Sequence, residues 1–515
     1  MAPRLLALAL GLLIALVAAP QASAARSFPS GFLWGAALAG FQAEAGGRPS
    51  HADRRSDWWV WARDRNNIAA GRVSGDLPEN GPGHWARYRT DIGLAARRLH
   101  LGAFRLSIEW SRIFPSSTAG VHVGGRIDRR DLRRLDRLAN RPALRHYRRE
   151  LALIRGRGMV PFVTVNHFSL PLWLHDPIAT RDALAGRAPD AALPAGLRHP
   201  GWLSRATVRE FRKYAAYLAW KLGPLVKYWS PINEPLIVAN NGFVNIRGVS
   251  AGYFPPGAFS FTAAITAVRN LERANAAAYD AIKRFDRHSR VGPVQNMVAF
   301  TPANPASRRD VVGAAHADYL FNRLFLNAAV RGRVDRNADG RISPSEHRRG
   351  PRADFVGVNY YFRGRVTGLS ASLSRRIPVL DFLPTTSYGR QRPCPTSCSD
   401  LGSEIYPAGF RRVLATAGRY NLPVYVTENG IADADDDQRP SYLRRHLAVL
   451  RRVIRDRLAR VRGYIYWSLT DNLEWSAGYA PKFGLYSFDP LTLRRRSRPS
   501  ARLYGRTARR NALAR

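Results

Sequence analysis

The sequence predicts a single (β/α)8 barrel, an α/β fold with long loops after the strands. Three observations predict it. Eight short apolar runs alternate with longer stretches in which apolar residues recur at three and four positions. Polar or acidic residues stand at the C-terminal end of nearly every run, where such barrels carry their chemistry. No Gly-rich phosphate turn follows any run, which argues against the alternative of an open, doubly wound sheet.

The elements follow in order. Strands are expected at residues 31–36, 103–108, 160–166, 226–233, 291–296, 355–360, 423–427 and 463–468. Helices are expected between them, among others at 85–99, 144–157, 204–222, 262–285 and 442–457. The strand ends carry Glu109, Asn166 and His167, Asn233 and Glu234, Asn296, Asn359, and Glu428 and Asn429, with Asp471 to Glu474 just beyond the last. Two loops are long, 175–203 after the third strand and 363–408 after the sixth. Loops on this face of a barrel shape its pocket.

The chain of 515 residues is ample for one large barrel, and no repeat or low-complexity linker divides it. Residues 1–24 read as a signal peptide: Arg4, an unbroken apolar run from Leu5 to Ala19, then Ala22-Ser23-Ala24. The alternative, a membrane anchor, needs a longer apolar run. The barrel domain is therefore expected over 25–515, in a secreted protein, extracellular or periplasmic, with no transmembrane segment after signal removal. Its two cysteines, Cys394 and Cys398, fit a loop-pinning disulfide in an oxidising compartment, with free thiols as the alternative.

Lys and Arg number 80 against 38 Asp and Glu, a formal charge of +42. Such a surface attracts polyanions. Yet the cations are scattered arginines with few lysines, and no basic stripe is interleaved with aromatics. No specific nucleic-acid partner is expected, and a solvated, Arg-rich surface is the plainer reading.

Two glutamates stand out. Glu234 lies in Trp-Ser-Pro-Ile-Asn-Glu-Pro at the fourth strand end, and Glu428 in Val-Tyr-Val-Thr-Glu-Asn-Gly at the seventh. Those strands face each other across a barrel mouth. Glycoside hydrolysis needs two such carboxyls, one protonated to assist the leaving group and one ionised to attack or to activate water. Taken alone, each could equally cap the following helix.

The chain resembles the family 1 glycoside hydrolases, β-glucosidases and their relatives, from Phe32 to about Asp489. Six pieces carry the resemblance in order: Phe-Leu-Trp-Gly-Ala-Ala, Phe-Arg-Leu-Ser-Ile-Glu-Trp, Asn-Glu-Pro, Val-Asn-Tyr-Tyr, Thr-Glu-Asn-Gly, and Trp-Ser-Leu-Thr-Asp-Asn-Leu-Glu-Trp. It implies Glu234 as acid/base and Glu428 as nucleophile, with Arg105 and Tyr361 in contact with the nucleophile. A retaining mechanism then implies carboxyls about 5–5.5 Å apart. Gln42, His167, Asn233, Glu474 and Trp475 match the family's hydroxyl-binding positions, and Trp467 its platform under the sugar ring. The implied substrate is a small glycoside. Glu474 implies a neutral glycone, because the branch acting on 6-phosphorylated sugars typically lacks this acid. His167-Phe168 stands where the family often has His-Trp, which leaves the choice between gluco- and galacto-type sugars open.

One segment departs from the family pattern. Asp335, Asn337, Asp339, Ser343 and Glu346 occupy positions 1, 3, 5, 9 and 12 of a twelve-residue EF-type loop. Gly340 stands at position 6, Ile342 at 8, and Arg341 offers its carbonyl at 7. A lone structural calcium ion is expected, with no cofactor for catalysis. The nearby arginines oppose the cation, Pro344 argues against a full second helix, and an Asp/Asn/Gly turn that mimics the motif is the alternative. Two functions compete with hydrolysis: a non-catalytic carbohydrate-binding protein on the same barrel, which would have lost one glutamate, and a transglycosylase.

Overall fold

The computed structural model describes residues 27–244, 252–346, 350–369, the main chain of 382–384, and 397–514. The signal-peptide segment 1–24 and Cys394 lie outside the described residues.

Eight parallel strands form the barrel, and each expected run supplies one. They are Leu33–Ala37, Ala103–Ser107, Val160–Asn166, Tyr228–Ile232, a broken fifth strand (Arg290–Val291 and Val294–Asn296), Val356–Tyr360, Val424–Asn429 and Val461–Trp467. Neighbours in sequence pair in parallel, the eighth strand pairs with the first, and Asn233 bridges to Val294, closing the sheet on itself. The fifth strand breaks at Gly292-Pro293 because a proline has no N–H to give the ladder. The first begins later than expected because Phe32 N–H turns back to the Pro29 carbonyl.

The helices start where side chains can cap them. Asn140 caps Arg141–Gly156, Ser204 caps Arg205–Leu222, and Ser260 caps Phe261–Phe285, each accepting a backbone N–H of the first turn. The helix expected over 85–99 is α-helical over His84–Gly93 and continues as a wider π turn, Leu94–Arg98. The last expected helix runs Arg439–Arg455.

The barrel floor is plugged by aromatics. Phe162 stacks on Tyr228 (5.3 Å between centroids) and meets Phe355 edge-on, while the Tyr228 and Tyr425 hydroxyls share a hydrogen bond of 2.9 Å.

The long loops hold structure the sequence pattern does not show. Loop 175–203 contains the helix Pro177–Leu184. Loop 363–408 contributes Arg363–Gly368 and Phe382–Pro384 to a small three-stranded sheet with Ala299–Pro302. Among the described residues no helix is long and apolar enough to cross a membrane.

Candidate active site

A cavity of about 560 Å³ opens at the C-terminal ends of the strands. His167, Asn233, Glu234, Tyr361, Glu428, Trp467, Glu474 and Trp475 all line it. Arg105 and Gln42 are buried and do not line it; they stand behind residues that do.

Glu428 is aimed by an irregularity in its strand. Val426 pairs with Val358, and Glu428 with the very next residue, Asn359, so Thr427 is an extra residue in the ladder. A bulge of this kind re-aims side chains. Thr427 Oγ1 donates to Asn359 Oδ1 (2.6 Å), while Glu428 reaches the cavity. Arg105 Nη1 donates to Glu428 Oε1, and the Tyr361 hydroxyl donates to Oε2 at 2.5 Å. Gly430 follows for steric reasons: a Cβ there would lie 1.9 Å from the Trp467 carbonyl oxygen.

Glu234 ends the fourth strand and precedes the helix Pro235–Phe243, with its backbone in the left-handed region at φ +45°. Phe168 (φ +71°) and Trp475 (φ +51°), also in the cavity wall, share that unusual conformation. Backbone strain of this sort persists where the surroundings enforce it and gathers at functional sites. Asn359 Nδ2 and Asn296 Nδ2 donate to Glu234 Oε1 at 2.6 and 3.2 Å. Burial, then the negative charge of Glu428, push the Glu234 carboxyl up to about 8, against these amides and Arg105. It is a carboxylic acid that keeps its proton near neutrality.

Asn233 links the two halves. Its Oδ1 accepts from Arg105 Nη2 (2.7 Å) and Asn359 Nδ2 (3.2 Å), so its Nδ2 is left to donate to His167 Nε2 at 3.3 Å. His167 then carries its proton on Nδ1. Burial and the Arg105 charge hold this imidazole well below its usual range, hence neutral. Its ring lies nearly parallel to Trp467 and Trp475, both 5.9 Å away.

On the far wall, burial and Glu428 push Glu474 up to about 8. Its Oε2 is buried with no partner, as is Gln42 Oε1. Gln42 Nε2 is held by the Leu473 carbonyl (2.7 Å) and Asn472 (3.1 Å). Glu474 Oε2, a buried acceptor without a donor in a wall that also holds Trp467 and Trp475, suits a ligand that brings hydroxyls. None of the described lining residues is Lys or Arg, although the whole chain carries +42.

The sequence reading passed over Asn296 and Asn359 as site residues, though both mark strand ends. Beside Phe168, which the sequence marks as bearing on sugar type, stand Tyr253, Phe254, Leu401 and Phe483, an apolar wall the sequence does not mark. Loops supply that wall, and periodicity carries no signal there. Neither the segment 335–346 nor the acidic group Asp433, Asp435 and Asp437 lines the cavity.

The chain matches the family model described as Glycosyl hydrolase family 1 over residues 24–180 and 192–513; the gap falls in loop 175–203. A β-galactosidase of Saccharolobus solfataricus is 39% identical over 95% of this chain and 96% of its own length. The β-glycosidase of the hyperthermophile Thermosphaera aggregans superposes with a TM-score of 0.82 at 35% identity, over 95% of this chain and 98% of that one. A hyperthermophilic β-glucosidase of Pyrococcus furiosus gives 0.80 at 35% identity, over 95% and 97%.

Proposed function

The chain belongs to glycosyl hydrolase family 1 and is a retaining β-glycosidase, and from that premise we propose that it releases single, unphosphorylated β-D-glucosyl or related neutral residues from the non-reducing ends of small glycosides. The observation that carries the reading is the unequal pair of carboxyls in one cavity. Glu428 faces a guanidinium and a phenol, whereas Glu234 faces amides and holds its proton up to about 8.

In the first step a Glu428 oxygen attacks the anomeric carbon while Glu234 gives its proton to the departing glycosidic oxygen. The C–O bond breaks, the aglycone leaves as an alcohol, and an ester joins the sugar to Glu428. That ester is neutral, so the charge that raised Glu234 is gone. Glu234, now ionised, takes a proton from water, whose oxygen attacks the anomeric carbon from the face the aglycone left. The sugar departs with retained configuration, and both carboxyls return to their starting states.

Three features support the finer specificity. The aromatic floor below the cavity leaves room for a chain end and no through-passage. The orphaned Glu474 Oε2 on the cavity wall can accept from a sugar hydroxyl. The described wall residues include no Lys or Arg and a partly acidic set of side chains, which disfavours phosphorylated or uronic glycones. The test is nitrophenol release from a panel of β-linked nitrophenyl sugars. Fastest turnover on the glucoside, galactoside or fucoside supports the reading, and fastest turnover on a 6-phospho-sugar or glucuronide overturns it.

We propose further that the protein acts outside the cytoplasm. The apolar run before Ala22-Ser23-Ala24 supports export, and an oxidising compartment would close Cys394 and Cys398 into a disulfide.

A further inference from the structure

We propose that residues 335–346 bind one calcium ion, at a site separate from the sugar cavity. The loop follows the helix Leu324–Arg331, which Gly332 ends at φ +66°, and closes in the single turn Pro344–Glu346. Val334 N–H bonds the Glu346 carbonyl (3.1 Å), so the two ends of the twelve-residue segment meet. Ala338 (φ +59°) and Gly340 (φ +81°) bend the chain twice between them.

Oxygen types fall where a hard cation needs them: carboxylates at Asp335, Asp339 and Glu346, an amide at Asn337, a hydroxyl at Ser343 and the Arg341 carbonyl. Spacing alone would not carry the assignment. The second observation is Asp335 itself, which is 4% exposed. Its Oδ2 accepts from Gly340 N–H inside the loop (2.8 Å) and from the Tyr319 hydroxyl (2.6 Å). Its Oδ1 is buried and has no partner. A buried carboxylate oxygen left unsatisfied is costly, and a cation enclosed by the same loop resolves it.

The other two carboxylates of the loop accept from its own main chain. Glu346 accepts from the N–H groups of Arg336 (2.9 Å) and Ser343 (2.8 Å) and from the Ser343 hydroxyl (2.9 Å). Asp339 accepts from Arg341 N–H at 2.7 Å. These acidic side chains sit at a surface rich in arginine, namely Arg333, Arg336 and Arg341. The opposing charge sets the expected affinity at the weak end for such loops, a Kd of about 10⁻⁴–10⁻³ M, the range of extracellular modules. The ion would brace the Tyr319–Arg323 turn, whose Phe321 carbonyl holds Gln295 (2.8 Å), the neighbour of Asn296 on the fifth strand.

The test is calorimetric titration of CaCl2 into the full chain stripped with EDTA, with thermal unfolding at 0 and 10 mM CaCl2. Wild type should take up one ion, and its Tm should rise by about 2 °C or more. Glu346→Gln at a half-buried position spares the buried carboxylate, and Asp339→Asn at an exposed one is a second such variant. Both should lower the affinity at least tenfold and lose the Tm rise. No uptake by folded wild type overturns the proposal. So does uptake that both variants leave unchanged, because binding would then belong to another acidic group, such as Asp433, Asp435 and Asp437.

Discussion

Arg105 and Glu428 form an ion pair across the barrel with side chains 1% and 4% exposed, and the same guanidinium grips Asn233 with its other nitrogen. One rigid, planar fork therefore sets both the nucleophile and the residue next to the acid. A lysine offers one point charge and no second arm. Arg105→Lys should lower kcat by about 10²-fold or more, since losing charge-assisted hydrogen bonds costs roughly 1.5–3 kcal/mol each. Equal kcat for the lysine variant would show that the second arm does nothing.

The falling limb of activity with pH follows from the raised acid. Glu234 must be protonated to assist departure, so kcat/KM should fall as pH rises through about 8. Glu474 titrates in the same region, so the limb reports the coupled group of carboxyls. Removing the negative charge of Glu428 makes Glu234 easier to ionise. In Glu428→Gln the carboxyl titration of Glu234, followed by carbon NMR, should move down in pH. An unmoved titration would deny the coupling.

Stability should fall with rising pH as well. In the unfolded chain Glu234 ionises near its ordinary value of 4.5, but in the fold near 8. The folded state thus binds the extra proton, and stability contributed at low pH is lost as pH rises from about 4.5 to about 8. Glu234→Gln does not titrate. Its Tm should exceed that of wild type by about 2–4 °C more at pH 8 than at pH 4.5. A difference independent of pH would contradict the assignment.

Asn359 joins Glu234, Asn233 and Thr427. Because its N–H favours the ionised form of Glu234, Asn359→Ala should move the falling limb upward while lowering kcat by about tenfold to a hundredfold. A lower kcat with an unmoved limb would mean a packing role only.

Gly430 tests the link between the seventh and eighth strands. Gly430→Ala must displace the Trp467 main chain, and should cost about 3 kcal/mol in urea unfolding and loosen the indole platform. A neutral substitution would show that the strands part easily.

How much of this was legible in sequence depends on where periodicity operates. Each strand is an apolar run fenced by polar ends, so the barrel and Glu234 and Glu428 are readable. Thr427 and Glu428, two consecutive residues both reaching inward, break the alternation of a strand, and only the pairing with Asn359 reveals the bulge. Phe254 and Phe483 come from loops, and their shared place in the cavity wall depends on tertiary packing. The break at Gly292-Pro293 was visible as residues but not as two pieces of one strand. Asp335 is readable as a motif position, whereas its unsatisfied oxygen is visible only in three dimensions.

The most direct test of the central claim is Glu428→Ala assayed on an activated nitrophenyl glycoside with and without azide. Loss of hydrolysis, restored by azide with an α-glycosyl azide as product, is the predicted result, because azide then takes the place of the missing carboxylate on that face of the sugar. Substantial hydrolysis by the variant, or rescue giving a β-glycosyl azide, would contradict the assignment of Glu428 as the nucleophile of a retaining enzyme.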